Sequence, residues 1–270
     1  MSVQIMEHQP PQRSRAWRDQ RCGKVTASRL PDLVARTKTG PSASRGSYMT
    51  QLLAERLSGE PQLIPASGAM RWGVEHEAEA ALVYSFLYDL EVGPCGFFDH
   101  PTITGSGASP DGLLGLEGLI EIKCPTSTTH IETLSSGEIP PKHLHQIHWQ
   151  LACTGRGWCD FVSYDPRMPP ELRLFVRRVE RDDQAIASLE AEVTSFLQEL
   201  EARERSLRPL HASPPQDQQR AAADPPQAGQ TADEPPQLDT TAAGPEPAAP
   251  APDHTAGVRQ AHAHRRRAAA

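Results

Sequence analysis

The chain has 270 residues, with 27 Lys and Arg against 34 Asp and Glu, a net charge of −7 and 37% hydrophobic residues. That length allows one large domain or two small ones. The acidic balance argues against passive coating of nucleic acid, though not against an enzyme whose acids hold metal ions. No apolar run approaches the roughly 20 residues that span a bilayer, and the N-terminal residues lack the basic head and apolar stretch of a secretory signal. The expectation is a cytoplasmic protein with no membrane partner. The cysteines (Cys22, Cys95, Cys124, Cys153, Cys159) are odd in number and lack a C-x-x-C pair. That argues against a disulfide framework or a structural zinc site.

In chain order, residues 12–21 read as a short helix containing Trp17. A second helix starts near Thr26 or Ser28, either of which can cap it, with Pro31 tolerated in its first turn. Residues 36–46 form a loop with basic side chains. Residues 47–57 place Tyr48, Leu52, Leu53 and Leu57 at helical spacing, with Gly59 and Pro61 as the stop. The longest helical stretch is 70–90, with Trp72, Leu82, Val83, Phe86 and Leu90 as apolar anchors before Gly93-Pro94. Then the period changes. Residues 95–98, 102–105, 108–114 and 119–124 are short, β-like and separated by turn residues. Pro140-Pro141 open a helix to about Cys153, residues 158–164 and 172–179 read as paired strands, and residues 181–205 form a final amphipathic helix. Its stripe is Ile186, Leu189, Val193, Phe196, Leu197 and Leu200. This order predicts an α/β sandwich around a mixed sheet.

Residues 206–270 hold 11 of the 26 Pro and 17 Ala but no Phe, Tyr or Trp. Such a segment cannot bury enough apolar surface to offset chain entropy. The sequence therefore predicts a domain at 1–205 and a disordered Pro/Ala-rich tail at 206–270. The tail repeats Pro-Pro-Gln and ends on His262-Ala-His264-Arg-Arg-Arg267. It reads as a polar spacer, or as a tether whose basic end touches DNA or a partner.

The stretch from Ser109-Pro-Asp111-Gly to Glu121-Ile-Lys123-Cys-Pro carries chemistry. On a strand, Leu119, Glu121 and Lys123 share one face, and Ile120, Ile122 and Cys124 the other. A hairpin turning at Gly115–Gly118 brings Asp111 level with Glu121. Two carboxylates suit hard divalent cations. The lysine can orient a water, or take its proton if its own pKa is depressed. Alone, the triplet reads more readily as a turn followed by a solvated ion pair.

The surrounding blocks decide between these. They are Trp17-x-x-x-Arg21, Val25-Thr-Ala-Ser28, Leu53-Ala-Glu, Trp72-Gly-x-x-x-Glu77, Ser109-Pro-Asp-Gly-Leu, Glu121-Ile-Lys-Cys-Pro, Gln146 and Tyr164-Asp-Pro-Arg-Met168. In this order the chain, over roughly residues 14–180, resembles the PD-(D/E)xK nuclease superfamily and within it the bacteriophage lambda exonuclease or YqaJ-like viral recombinase family. The resemblance implies a restriction-endonuclease-like core, a central mixed sheet flanked by helices. It implies a Mg²⁺-dependent (Mn²⁺ also suitable) 5′-to-3′ exonuclease on linear duplex DNA, using two ions, releasing 5′-mononucleotides and leaving 3′ single strands for recombination in a bacterial host cell.

Asp111, Glu121 and the Ile122 carbonyl would then be metal ligands, and Lys123 would serve the attacking water. Glu77 would reach the site from the long helix, with small Gly73 and Ala81 letting that helix lie close; Glu75 or Glu79 are alternatives. Gln146 would support the site, and Arg21, Ser28 and Ser109 would hold the 5′-phosphate. A helix capped at Thr26 or Ser28 would add its dipole there, and Lys38 would approach DNA from a loop. A homotrimer and a single-strand-annealing partner are implied by the resemblance alone. The helix after Pro141 departs from the family pattern at His143 and His148. With His145 these invite a transition-metal reading, against packed or phosphate-facing histidines. Two other functions fit the same fold: an endonuclease or nickase, and a non-catalytic DNA-end-binding scaffold.

Overall fold

In a computed structural model, residues 9–63, 65 and 67–208 are described. The predicted tail, apart from residues 206–208, lies outside them. The chain opens with α1 (Arg15–Arg21), capped by the Ser14 hydroxyl. Next come β1 (Val25–Thr26), a 3-10 turn (Ala27–Arg29) and α2 (Leu30–Val34), then a small hairpin of β2 (Arg36–Thr37) and β3 (Gly40–Pro41). Two long helices follow. These are α3 (Ala43–Ser58), capped by Ser42 and closed by Gly59 in the left-handed conformation, and α4 (Gly68–Tyr88), capped by Ser67. The strands are β4 (Val92–Gly93), β5 (Phe98–Asp99), β6 (Ser106–Ala108), β7 (Gly112–Leu114) and β8 (Gly118–Lys123). Then come α5 (Ser127–Ser136), α6 (Pro141–Thr154), β9 (Trp158–Tyr164), a 3-10 turn (Pro170–Leu172), β10 (Leu174–Glu180) and α7 (Asp183–Leu207).

The main sheet has five strands in the order β10-β9-β8-β7-β4. Strand β8 runs parallel to β9, and the other pairs are antiparallel. A parallel neighbour needs a crossover, here supplied by α5 and α6. The mixed α/β sandwich expected from the sequence is present. One face carries Ile120, Ile122 and Val162 against Ala80 and Tyr84 of α4. The opposite face carries Leu119, Cys159 and Phe161 against Ile147 and Leu151 of α6. A further core joins α2, α3, α6 and α7 around Trp149, Tyr48 and Phe196. The predicted α7 stripe is buried throughout.

Several local expectations change. The predicted 36–46 loop holds the β2–β3 hairpin and the first turn of α3, which starts at Ala43 because Ser42 caps it. Helix α4 turns a different face inward: Leu82 and Phe86 are 72% and 87% exposed, and the fully buried residues are Ala80 and Tyr84. The reason is chemical, since Tyr84 Oη donates 2.6 Å to the buried Asp160 carboxylate. Ala80, rather than Gly73, makes the close approach, because a Cβ at Gly73 would meet nothing within 4 Å. Residues 102–105 form a turn and the strand starts at Ser106. Helix α5 is not foreshadowed, because Ser127–Ser136 is rich in Ser and Thr and buries only His130 and Thr133.

Candidate active site

Hairpin β7–β8 pairs Gly112 with Ile120 and Leu113 with Leu119, so Asp111 lies just beyond β7, opposite Glu121. Its backbone N–H donates to Ile120 O at 3.2 Å. Its Oδ2 accepts from the Ile122 N–H at 2.7 Å. The Asp111 carboxylate is thereby fixed to the strand that carries Glu121 and Lys123. The Glu121 side chain is fully buried and bonded to the Lys123 ammonium. It also accepts 2.5 Å from Gln150 Nε2 of α6.

Asp111 and Lys123 open onto a cleft of about 630 Å³. Its walls also include Glu77, Ile122, His143 and Gln146, together with Arg21, Ser28 and Ser109. Most of the expected site residues thus line one cleft; Glu121 is buried behind it and does not line it, and Lys38 is set apart. Lys38 is exposed between β2 and β3 and is not among the residues lining the cleft. Of the three candidate acids on α4, Glu77 faces the cleft. Glu79 is turned to Tyr164, accepting from its hydroxyl at 2.9 Å, and Glu75 is exposed.

Burial raises the Asp111 carboxyl well above its ordinary range, and the charges of Glu121 and Glu77 add to this against the opposing pull of Lys123. The carboxylates therefore outweigh the one ammonium among them. Burial works against the Lys123 ammonium, but Glu121 and Asp111 outweigh it and raise its pKa above the usual lysine value. Held by Glu121, Lys123 is a cation placed where it can orient a water.

A hard divalent cation fits this donor set. The side chains supply oxygen only, the charge is in excess of negative, and the Ile122 carbonyl belongs to the strand end that lines the cleft. In this conformation each acid has another partner: Asp111 the Ile122 amide, Glu121 the lysine and Gln150, and Glu77 the guanidinium of Arg13 at 2.5 Å. Among the described residues, no three His, Cys, Asp or Glu side chains are gathered as a ready coordination cage. That statement covers the histidines of α6. His143 packs on Phe161 with ring centroids 5.4 Å apart, and burial with the charges of Lys123 and Lys142 lowers it to about 3. His145 and His148 each bury an unpartnered Nδ1.

Elsewhere in the lining, Ser109 Oγ accepts from Arg21 Nη1 at 3.1 Å and from Trp17 Nε1 at 3.0 Å. The Arg21 guanidinium lies 4.2 Å from the Trp17 ring. Burial lowers its pKa to about 10, and no carboxylate forms an ion pair with it among the described residues. Arg21 is half-buried, and a guanidinium with no carboxylate in ion-pair contact can take up an anion. The capping expectation fails here. Neither Thr26 nor Ser28 caps a helix with its side chain, and a 3-10 turn leads into a five-residue α2. The anion site rests on the arginine and the hydroxyls, not on a helix dipole.

Sequence reasoning missed Gln150, Gln12 and Arg13. Gln150 had a signal: it lies four residues after Gln146, on the same helical face. Gln12 and Arg13 had none, because they act from an irregular segment before α1.

The hairpin, the acid–lysine cluster and the flanking helices define a protein of the nuclease class. Residues 16–157, just over half of the chain, match the YqaJ-like viral recombinase domain, and the chain belongs to that family. It is 48% identical to the alkaline exonuclease LHK-Exo of Laribacter hongkongensis, over 74% of this chain and 98% of that one, with a TM-score of 0.69. LHK-Exo in complex with dAMP matches equally. A phage-related exonuclease from Haemophilus somnus 129PT shares the fold, with a TM-score of 0.51 at 14% identity over 69% of this chain and 96% of that one. No match was found among the curated proteins. Among the described residues, no helix is long and apolar enough to cross a membrane.

Proposed function

We propose that this protein is a Mg²⁺-dependent exonuclease that degrades the 5′-terminated strand of linear duplex DNA, releasing 5′-mononucleotides. The observation that carries this reading is one cleft lined both by the acids and lysine Glu77, Asp111 and Lys123 and by a half-buried arginine, Arg21, that has no ion-paired carboxylate. The first suits hydrolysis of a phosphodiester, and the second suits a terminal phosphate. A relative 48% identical that holds dAMP, a deoxynucleoside monophosphate, supports the product class.

Arg21 and Ser109 bind the 5′-phosphate and set the distance from the strand end to the scissile bond. Asp111, Glu121 and the Ile122 carbonyl would hold the cation, with Glu77 facing the cleft from α4. Bound there, a divalent cation polarises the phosphodiester and acidifies a water. Lys123, fixed by Glu121, would orient a water toward phosphorus; the water oxygen bonds to phosphorus as the bond to the 3′-oxygen of the departing nucleotide breaks, the water gives up a proton to solvent and the 3′-oxygen takes one from solvent. Gln150 holds the Glu121 carboxylate in place, and His143 stays neutral beside the ammonium.

The test is digestion of linear and closed-circular duplex with Mg²⁺ or EDTA, comparing 5′-phosphate with 5′-hydroxyl ends. The reading expects loss of linear DNA only, with Mg²⁺ only, and faster from phosphorylated ends. Equal cutting of circles would transfer the site to an endonuclease.

A further inference from the structure

The segment before α1 carries an unusual conformation. Arg13 has a φ of +68°, a left-handed backbone that a non-glycine residue adopts only under strain. Such a residue persists only where its surroundings hold it. Here Gln12 Nε2 donates to the Pro110 carbonyl at 2.6 Å and to Cys95 O at 3.4 Å. That pins the segment to the residue just before Asp111. On the other side, Ser14 caps α1 through Trp17 N–H at 3.1 Å. Between these anchors Arg13 enters the cleft and pairs with Glu77 at 2.5 Å. Both side chains line the cleft that contains Asp111 and Lys123.

We propose that Arg13 is a positioning residue that holds Glu77 when no metal is bound and competes with the divalent cation for that carboxylate. This rests on the proposed metal-dependent reading of the same cleft. The charges favour it. Glu77 already acts on Asp111, raising the latter's carboxyl, so an unpaired Glu77 would add repulsion to a cleft that has an excess of acids. A guanidinium on Glu77 offsets that repulsion without displacing Lys123 from Glu121. The pair is half exposed, with side chains 47% and 27% accessible. It is therefore weak enough to open, and a divalent cation at Asp111 is a stronger partner for the same oxygens. The strained backbone fixes where the guanidinium waits; the exposed side chain lets it leave.

The test uses Mn²⁺ titrated into full-length, DNA-free protein, read by the electron paramagnetic resonance of free Mn²⁺. Removing the competitor in Arg13→Gln should tighten Mn²⁺ binding about three- to fivefold, as expected for the loss of one exposed ion pair. Arg13→Lys should fall between wild type and Arg13→Gln. In a Glu77→Gln background, Arg13→Gln should change nothing, which separates competition for this carboxylate from the general loss of a positive charge. Unchanged or weaker Mn²⁺ binding in Arg13→Gln overturns the proposal, as does an equal tightening in the Glu77→Gln background. If wild type takes up no Mn²⁺ at all, the metal-dependent reading fails and this inference with it. If wild type binds Mn²⁺ and Arg13→Gln matches it, this inference alone fails.

Discussion

Glu121 is buried to zero exposure beside a lysine and a glutamine amide. Burying a carboxylate is costly unless every lone pair finds a donor, so its partners matter more than its position. Gln150→Leu removes a buried donor and keeps the volume. In single-turnover digestion it should lower the chemical rate about 10- to 100-fold with little change in DNA affinity, the effect typical of groups that orient a ligand. An equal rate would show that Lys123 alone fixes Glu121.

Asp111 is the opposite case. Burial and two neighbouring acids raise its carboxyl, and a raised folded-state pKa means that the ionised form costs stability at neutral pH. Asp111→Asn should therefore abolish digestion while raising the melting temperature by about 2–4 °C, the shift that ~1 kcal/mol gives in a domain of this size. A lowered melting temperature would mean that the bond to Ile122 N–H outweighs the repulsion.

At the scale of elements, α4 and the end of β9 show where pattern reading succeeds and fails. Spacing located α4 within two residues at each end, but its inward face was misread because the sheet accepts a tyrosine hydroxyl rather than a leucine. Tyr84→Phe should cost about 1–2 kcal/mol, since Asp160 would keep only Arg178 as a side-chain donor. Leu82→Ser, on the exposed side, should cost no more than about 0.5 kcal/mol. Urea unfolding compares the two, and equal penalties would contradict the observed orientation.

At the end of β9, burial pushes the Asp165 carboxyl up, but hydrogen bonds from Arg167 and Ser127 outweigh it and hold the pKa at about 2. This value lies below the unfolded one of roughly 3.9. The stabilisation is therefore complete above pH ~4 and lost as pH falls toward 2. The penalty of Asp165→Asn should be about 2 kcal/mol at pH 6 and shrink steadily between pH 4 and pH 2.5. A penalty constant with pH would assign it to packing.

At the scale of the whole molecule, the alternating strand Leu119–Cys124, the turn at Gly115 and the α7 stripe were legible because they are local periodicities. The hairpin that levels Asp111 with Glu121 followed from them. The meeting of α1, α4 and β7–β8 in one cleft was not legible from periodicity and came from the order of motif blocks. Helix α5 escaped because its inward positions are polar: His130 is satisfied by Ser163 Oγ and Leu172 O, each at 2.8 Å. Gln12 and Arg13 escaped because an irregular strap has no period.

The proposed function requires Asp111, Glu121 and Lys123 to act as one metal-dependent hydrolytic centre. Release of label from 5′-end-labelled linear duplex tests it most directly, with wild type, Asp111→Asn and Lys123→Ala compared in Mg²⁺ and in EDTA. The account predicts labelled mononucleotide from wild type in Mg²⁺ alone, and rates at least ~10³-fold lower in both variants. Release that continues in EDTA, or a Lys123→Ala protein that keeps the wild-type rate, would contradict it.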